Sequence, residues 1–274
     1  MIKIFFLVLI NMLIFVEAEA SNGDNKIIDY FNITNCKGSV GSSKLILIDL
    51  TTPLTNSQKL FIVDNFIKNL SWENKGDRII IASLHNNPVS AMDMVSICTP
   101  KPLHKLDELW DSVVSMRAQD KRFREVLAAS FELLSNSTEA AQGTFLIEAI
   151  TEIYRNGRYD FYSAKSRELI LISDLYQNSR MLSFYEDCKN NFIWDTAMNN
   201  CPPNKGFSDP SSPLNTYLKI ATPSLNKNDK VTIFHLNHLN INNNKIRAWW
   251  VEYFNKSGLN ITKNLLIIPE LQHL

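Results

Sequence analysis

The sequence predicts an α/β fold: a three-layer, doubly wound, mostly parallel sheet with helices on both faces. Three observations carry this. Apolar runs such as Leu45-Ile46-Leu47-Ile48 and Leu169-Ile170-Leu171-Ile172 are unbroken rather than alternating, as in strands covered on both sides. Strand-sized runs alternate with helix-sized amphipathic stretches along the chain. Polar clusters stand where an apolar run ends or a helix begins: Asp49 to Pro53, Gly143-Thr144 and Ser173-Asp174. Ligands of such sheets bind beyond the carboxyl ends of the strands.

Lys3 precedes an apolar run from Ile4 to Val16 that closes on Ala18-Glu19-Ala20, the pattern of a signal peptide over 1–20 cleaved after Ala20. The run is shorter than the roughly 20 residues of a membrane helix, and no later apolar run approaches that length. The expectation is an exported protein, periplasmic or secreted by a bacterial route, with no integral membrane span after cleavage. Residues 21–274 then form a single α/β domain.

Residues 21–43 read as an irregular leader into a strand at Leu45–Asp49. Thr55-Asn56-Ser57-Gln58 fits a capping box, and Leu60, Ile62, Val63, Phe66, Ile67 and Leu70 continue at helical spacing. Strands follow at Asp77–Leu84 and Met94–Cys98, then a long helical stretch over about 105–134, bent or broken near its polar middle. Its charges, Lys121-Arg122 and Arg124-Glu125, read as a solvated face. A helix begins near Thr144, a strand spans Glu168–Ser173, and a strand at Val231–Leu236, a helix around Ile246–Phe254 and a strand at Leu265–Ile268 complete the series. Trp249, Trp250, Tyr253 and Phe254 form an aromatic stripe expected to pack on the sheet. Between about 186 and 230 the pattern lapses into Asn, Pro, Ser and Lys, a loop-rich insertion.

Lys plus Arg equal Asp plus Glu at 28 each, so no bulk field draws the chain to nucleic acid or an anionic membrane. Four cysteines in an exported chain suggest disulfides, and loop-closure entropy favours Cys188 with Cys201, leaving Cys36 for Cys98; buried free thiols are the alternative. Sequons begin at Asn32, Asn69, Asn136, Asn255 and Asn260, about the number chance alone supplies in so Asn-rich a chain. His235 and His238 would lie on opposite faces of an extended segment, a poor metal pair. The sequence holds no Gly-x-Ser-x-Gly elbow, phosphate-binding glycine loop or dinucleotide fingerprint.

The cluster Asp49-Leu50-Thr51-Thr52-Pro53, followed by Gly143-Thr144 and then Ser173-Asp174, resembles the metal-ion-dependent adhesion site of von Willebrand factor A domains. In that family an Asp-x-Ser-x-Ser turn, a distant Thr and a later Asp converge on one divalent cation. The resemblance runs from about Leu45 to the end of the chain. It implies a Rossmann-type three-layer fold, a weakly bound Mg²⁺ or other divalent cation on Asp49, Thr51, Thr144 and Asp174, and a protein partner at the carboxyl edge of the sheet. Thr52, Tyr176, Gln177 and Asn178 are candidate partner contacts on that edge, with loop capping as the alternative role. Two positions depart from the pattern: Pro53 stands in place of the second Ser and costs a ligand, and Leu175 follows Asp174 where Gly is common. Without a metal, the same polar groups would serve as caps and turn acceptors.

The implied function is a non-catalytic binding or assembly module. An alternative rests on the likeness of Asp49-Leu50-Thr51-Thr52-Pro53-Leu54-Thr55 to the Asp-Lys-Thr-Gly-Thr-Leu-Thr of haloacid dehalogenase-type enzymes. There Asp49 would be the nucleophile of a Mg²⁺-dependent phosphatase or phosphotransferase.

Overall fold

The computed structural model describes residues 41–72, 74–85, 93–100, 113–136, 143–155, 161, 163–179, 182–184, 223, 225–236 and 243–269. The signal peptide expected over 1–20, Asn32, Cys36, Cys188, Cys201, His238 and nearly all of the 186–230 insertion lie outside them, as do residues 101–112 of the long helical stretch.

The described strands are β1 (Ser42–Asp49), β2 (Arg78–Leu84), β3 (Asp93–Cys98), β4 (Ser166–Ser173), β5 (Lys230–His235) and β6 (Leu265–Pro269). Helices are α1 (Asn56–Asn65), α2 (Val113–Ser135), α3 (Leu146–Arg155), α4 (Asn243–Lys256) and the single turn α5 (Ile261–Asn264). The strands form one sheet in the order β3-β2-β1-β4-β5-β6, parallel throughout except for the antiparallel edge strand β3. This is the expected doubly wound α/β class. The short 85–92 connection accounts for β3, because a parallel neighbour needs a crossover of about a dozen residues or more.

Leu45, Ile46, Leu47 and Ile48 are all fully buried, which is why β1 lacks alternation. Leu45 and Leu47 face a core shared with α3 and α4; Ile46 and Ile48 face one shared with α1 and α2. Fully burying such a side chain contributes about 1.5–3 kcal/mol, so the central strands anchor both layers. Trp249, Trp250, Tyr253 and Phe254 are buried in the first core, as the stripe predicted. The Thr55 capping box forms, with the Gln58 amide donating to Thr55 Oγ1 at 3.2 Å and the Thr55 amide to Gln58 Oε1 at 3.0 Å. α1 nevertheless stops at Asn65 and the chain continues as a 3₁₀ turn, Ile67–Asn69, which buries Ile67 while Leu60 stays exposed.

At the amino edge, Arg167 on β4 donates from Nε and Nη2 to the two Asp229 oxygens at 2.9 and 2.6 Å, both groups buried. Asp77 accepts from the amides of Ser42 and Asn74. These acidic groups tie loops to strand starts and leave the opposite edge as the place for unexplained polar groups. Cys98, at the end of β3, is disulfide-bonded to a cysteine outside the described residues.

Candidate binding site at the carboxyl edge

Chain connections leave β1 toward β2 on one side and β4 toward β5 on the other, so the crevice between β1 and β4 is the topological switch point of the sheet. Ile48 pairs with Ile172, which sets Asp49 and Ser173 level at the two strand ends. All four residues expected to form the site come together here.

Asp49 is 4% exposed and both of its carboxylate oxygens accept hydrogen bonds. Oδ1 accepts from the Thr51 amide at 3.1 Å and from Thr51 Oγ1 at 2.6 Å; Oδ2 accepts from Ser173 Oγ at 2.7 Å. Thr144 Oγ1 donates to Thr51 Oγ1 at 2.8 Å, so a buried chain of hydroxyls runs from the start of α3 to the end of β1. Asp174 is half-buried, caps its own turn by accepting from the Tyr176 amide at 2.9 Å, and lines one shallow cleft with Asp49, Thr51, Thr52, Pro53 and Gln58. Burial raises the Asp49 pKa above its ordinary value, and the bonds from Thr51 and Ser173 only partly offset that.

Local chemistry explains the convergence. Thr144 reaches the crevice because its backbone pairs with Asn178, amide to carbonyl in both directions at 2.8 Å. Gly143 permits the approach, since a Cβ there would stand 2.8 Å from the Asn178 carbonyl oxygen. Leu175 holds a left-handed backbone, φ 65°, its amide donating to Ser173 Oγ at 2.7 Å and its carbonyl accepting from Trp250 Nε1 at 2.9 Å. That conformation costs a non-glycine residue about 1–2 kcal/mol. The substitution that departs from the A-domain pattern is thus accommodated, with the backbone in a region that glycine enters freely.

Ser173 is the site residue that sequence reasoning missed. Its signal was a hydroxyl closing the otherwise apolar run Leu169–Ile172, buried only because it has partners on two sides. The rim contacts need correction. Tyr176 and Gln177 are 4% and 0% exposed, so neither forms an outer rim. Gln177 instead accepts from the Ile147 amide and donates to Glu148, satisfying the first turn of α3 from inside the loop. Asn178 is half-buried and accepts from Ser183 Oγ, while Thr52 is exposed beside the cleft.

The donor set suits a small hard cation: two carboxylates and hydroxyl groups, all oxygen, at one sheet edge. Asp49, Thr51, Thr144 and Asp174 would hold such an ion, and Pro53 withholds one oxygen. The hydroxyl hydrogens now pointing at Asp49 would have to turn or be bridged by water.

No family model matches the sequence and no curated protein matches it. Among solved structures, the crystal structure of the SpRpn10 VWA domain is similar to 86% of this chain over 92% of its own, with 12% sequence identity and a TM-score of 0.35. So loose a superposition carries no weight for function, and the fold assignment rests on the strand order itself.

Proposed function

We propose that the chain is an exported, non-catalytic binding or assembly module of von Willebrand factor A type, engaging a protein partner at the crevice between β1 and β4. A weakly held divalent cation assists it there, offering a Lewis-acidic point to an acidic or carbonyl group of the partner. The supporting observation is the convergence of Asp49, Thr51, Thr144, Ser173 and Asp174, from three separate stretches of sequence, at the switch point of the sheet. Thr52 and the open side of the cleft supply the outer contacts.

Phosphoryl transfer through Asp49 is the weaker reading. Leu50 stands where haloacid dehalogenase-type enzymes carry Lys, and Thr52 where they carry the Gly of the nucleophile turn.

Titration of Mg²⁺, Mn²⁺ and Ca²⁺ while following melting temperature tests the proposal. A cation-dependent rise that disappears in Asp174→Ala is expected; identical melting curves with metal and with chelator would remove the cation from the account.

A further inference from the structure

The outward face of α2 has an order that its own packing does not require. Inward, Phe123, Leu127 and Phe131 are buried against the sheet. On the opposite side Val114 and Leu133 are 79% and 59% exposed, and Ala118, Arg122, Glu125 and Ala129 are exposed with them. At 3.6 residues per turn these six positions share a stripe about 100° wide with the exposed Ser115 and Glu132. They are placed symmetrically about the midpoint between Phe123 and Arg124: Val114 mirrors Leu133, Ala118 mirrors Ala129, and Arg122 mirrors Glu125. These three mirror pairs are chemically complementary, apolar with apolar, small with small, cation with anion; the fourth pair on the stripe, Ser115 and Glu132, sets a polar group against an anion.

We propose that this stripe is an isologous interface, on which α2 packs antiparallel against α2 of a second copy of the chain. In a two-fold contact residue i meets j and j meets i, so each mirror pair forms twice. With a rise of 1.5 Å per residue, Arg122 faces the second copy's Glu125 about 2 Å along the helix from the axis, Ala118 faces Ala129 about 8 Å out, and Val114 faces Leu133 about 14 Å out. The alanines let the helices approach to the 8–10 Å typical of packed pairs. Charge complementarity selects a second copy over other occupants. Among the described residues Arg122 has no ion-pair partner, and Glu125 meets only Lys121 of its own helix, at 3.9 Å. A single helix pair buries less than the roughly 1,200 Å² of a standard stable interface, so the dimer is weak and reversible. Because the copies are reversed along α2, their carboxyl edges point away from each other and both crevices stay open.

Sedimentation equilibrium of the purified protein over rising concentration tests this with charge reversals. The wild type self-associates; Arg122→Glu and Glu125→Arg alone each weaken the dimer at least tenfold, by placing like charges on each other twice. The double variant Arg122→Glu/Glu125→Arg recovers it, and an equimolar mixture of the two single variants forms a heterodimer, because every cross pair is again of opposite sign. Recovery in the double variant also separates loss of the interface from loss of folding. A wild type that stays monomeric throughout, or a dimer indifferent to both single reversals, overturns the proposal.

Discussion

Replacing Ser173 with Ala removes one oxygen and should cost far more than an exposed serine would. The hydroxyl donates to Asp49 Oδ2 at 2.7 Å and accepts from the Leu175 amide at 2.7 Å, and all three residues are buried. An orphaned buried polar group costs about 1–3 kcal/mol, and the variant orphans two of them, one on a carboxylate. The expected loss is about 3 kcal/mol, or roughly 6–12 °C in melting temperature for a domain of this size. Thr52→Ala, on the exposed side of the same turn, should stay within about 0.5 kcal/mol. Urea unfolding of both variants measures the difference. A double-mutant cycle with Asp49→Asn should show coupling of about 1 kcal/mol or more between the two positions. A Ser173→Ala cost below about 1 kcal/mol, additive with Asp49→Asn, would refute the view that Ser173 holds the two strand ends together.

Two pH effects of opposite sign follow from the same edge. Asp49, its pKa raised by burial, favours the folded state most when protonated; that contribution fades as pH rises through its folded value. Asp49→Asn, which keeps the shape without the charge, should therefore be more stable than wild type at neutral pH without divalent metal, the gap closing as pH falls toward 4; a variant less stable at every pH would contradict this. His235, opposite Ser173 in the β4–β5 register, is buried with neither ring nitrogen in a well-formed hydrogen bond. Burial, then the charge of Arg247, push it down to about 4 from 6.5, against a small opposing effect of the Asp174 backbone. The unfolded chain takes up its proton first, so about 3 kcal/mol is lost as pH falls from 6.5 to 4. His235→Phe should flatten that slope in urea titrations across the window, and an unchanged slope would place the acid sensitivity elsewhere.

The sheet was legible because its central strands are buried on both faces, which writes them as continuous apolar runs such as Leu45–Ile48 and Leu169–Ile172. Helix starts were legible where a side chain caps them, as at Thr55. The end of α1 was not. Apolar spacing continues to Leu70, but past Asn65 the same residues are placed by a 3₁₀ turn. The convergence of Asp49, Thr51, Thr144 and Asp174 could be read because each stands at a strand end or helix start, and chain order fixes which ends are neighbours.

Side-chain direction within the loop after β4 was not readable in that way. Tyr176 and Gln177 look like surface residues by type, yet the left-handed Leu175 turns the chain so that both point inward, where Gln177 completes the first turn of α3. Nothing in local sequence announces a positive φ at leucine. The charges of α2 looked at first like an ordinary solvated face; their symmetry acquires meaning only once exposure shows that Val114 and Leu133 share the outer side with Arg122 and Glu125.

A divalent cation held in the crevice between β1 and β4 would mark that crevice as the binding face. Paramagnetic broadening of backbone amide signals by Mn²⁺ tests it most directly, because broadening falls off steeply with distance from the ion. Broadening is expected to centre on residues 49–54, 143–145 and 173–176, to be competed away by excess Mg²⁺ and to be lost in Asp174→Ala. Broadening centred on the amino-edge carboxylates Asp77 and Asp229, or none at the carboxyl edge at any Mn²⁺ concentration, would contradict it.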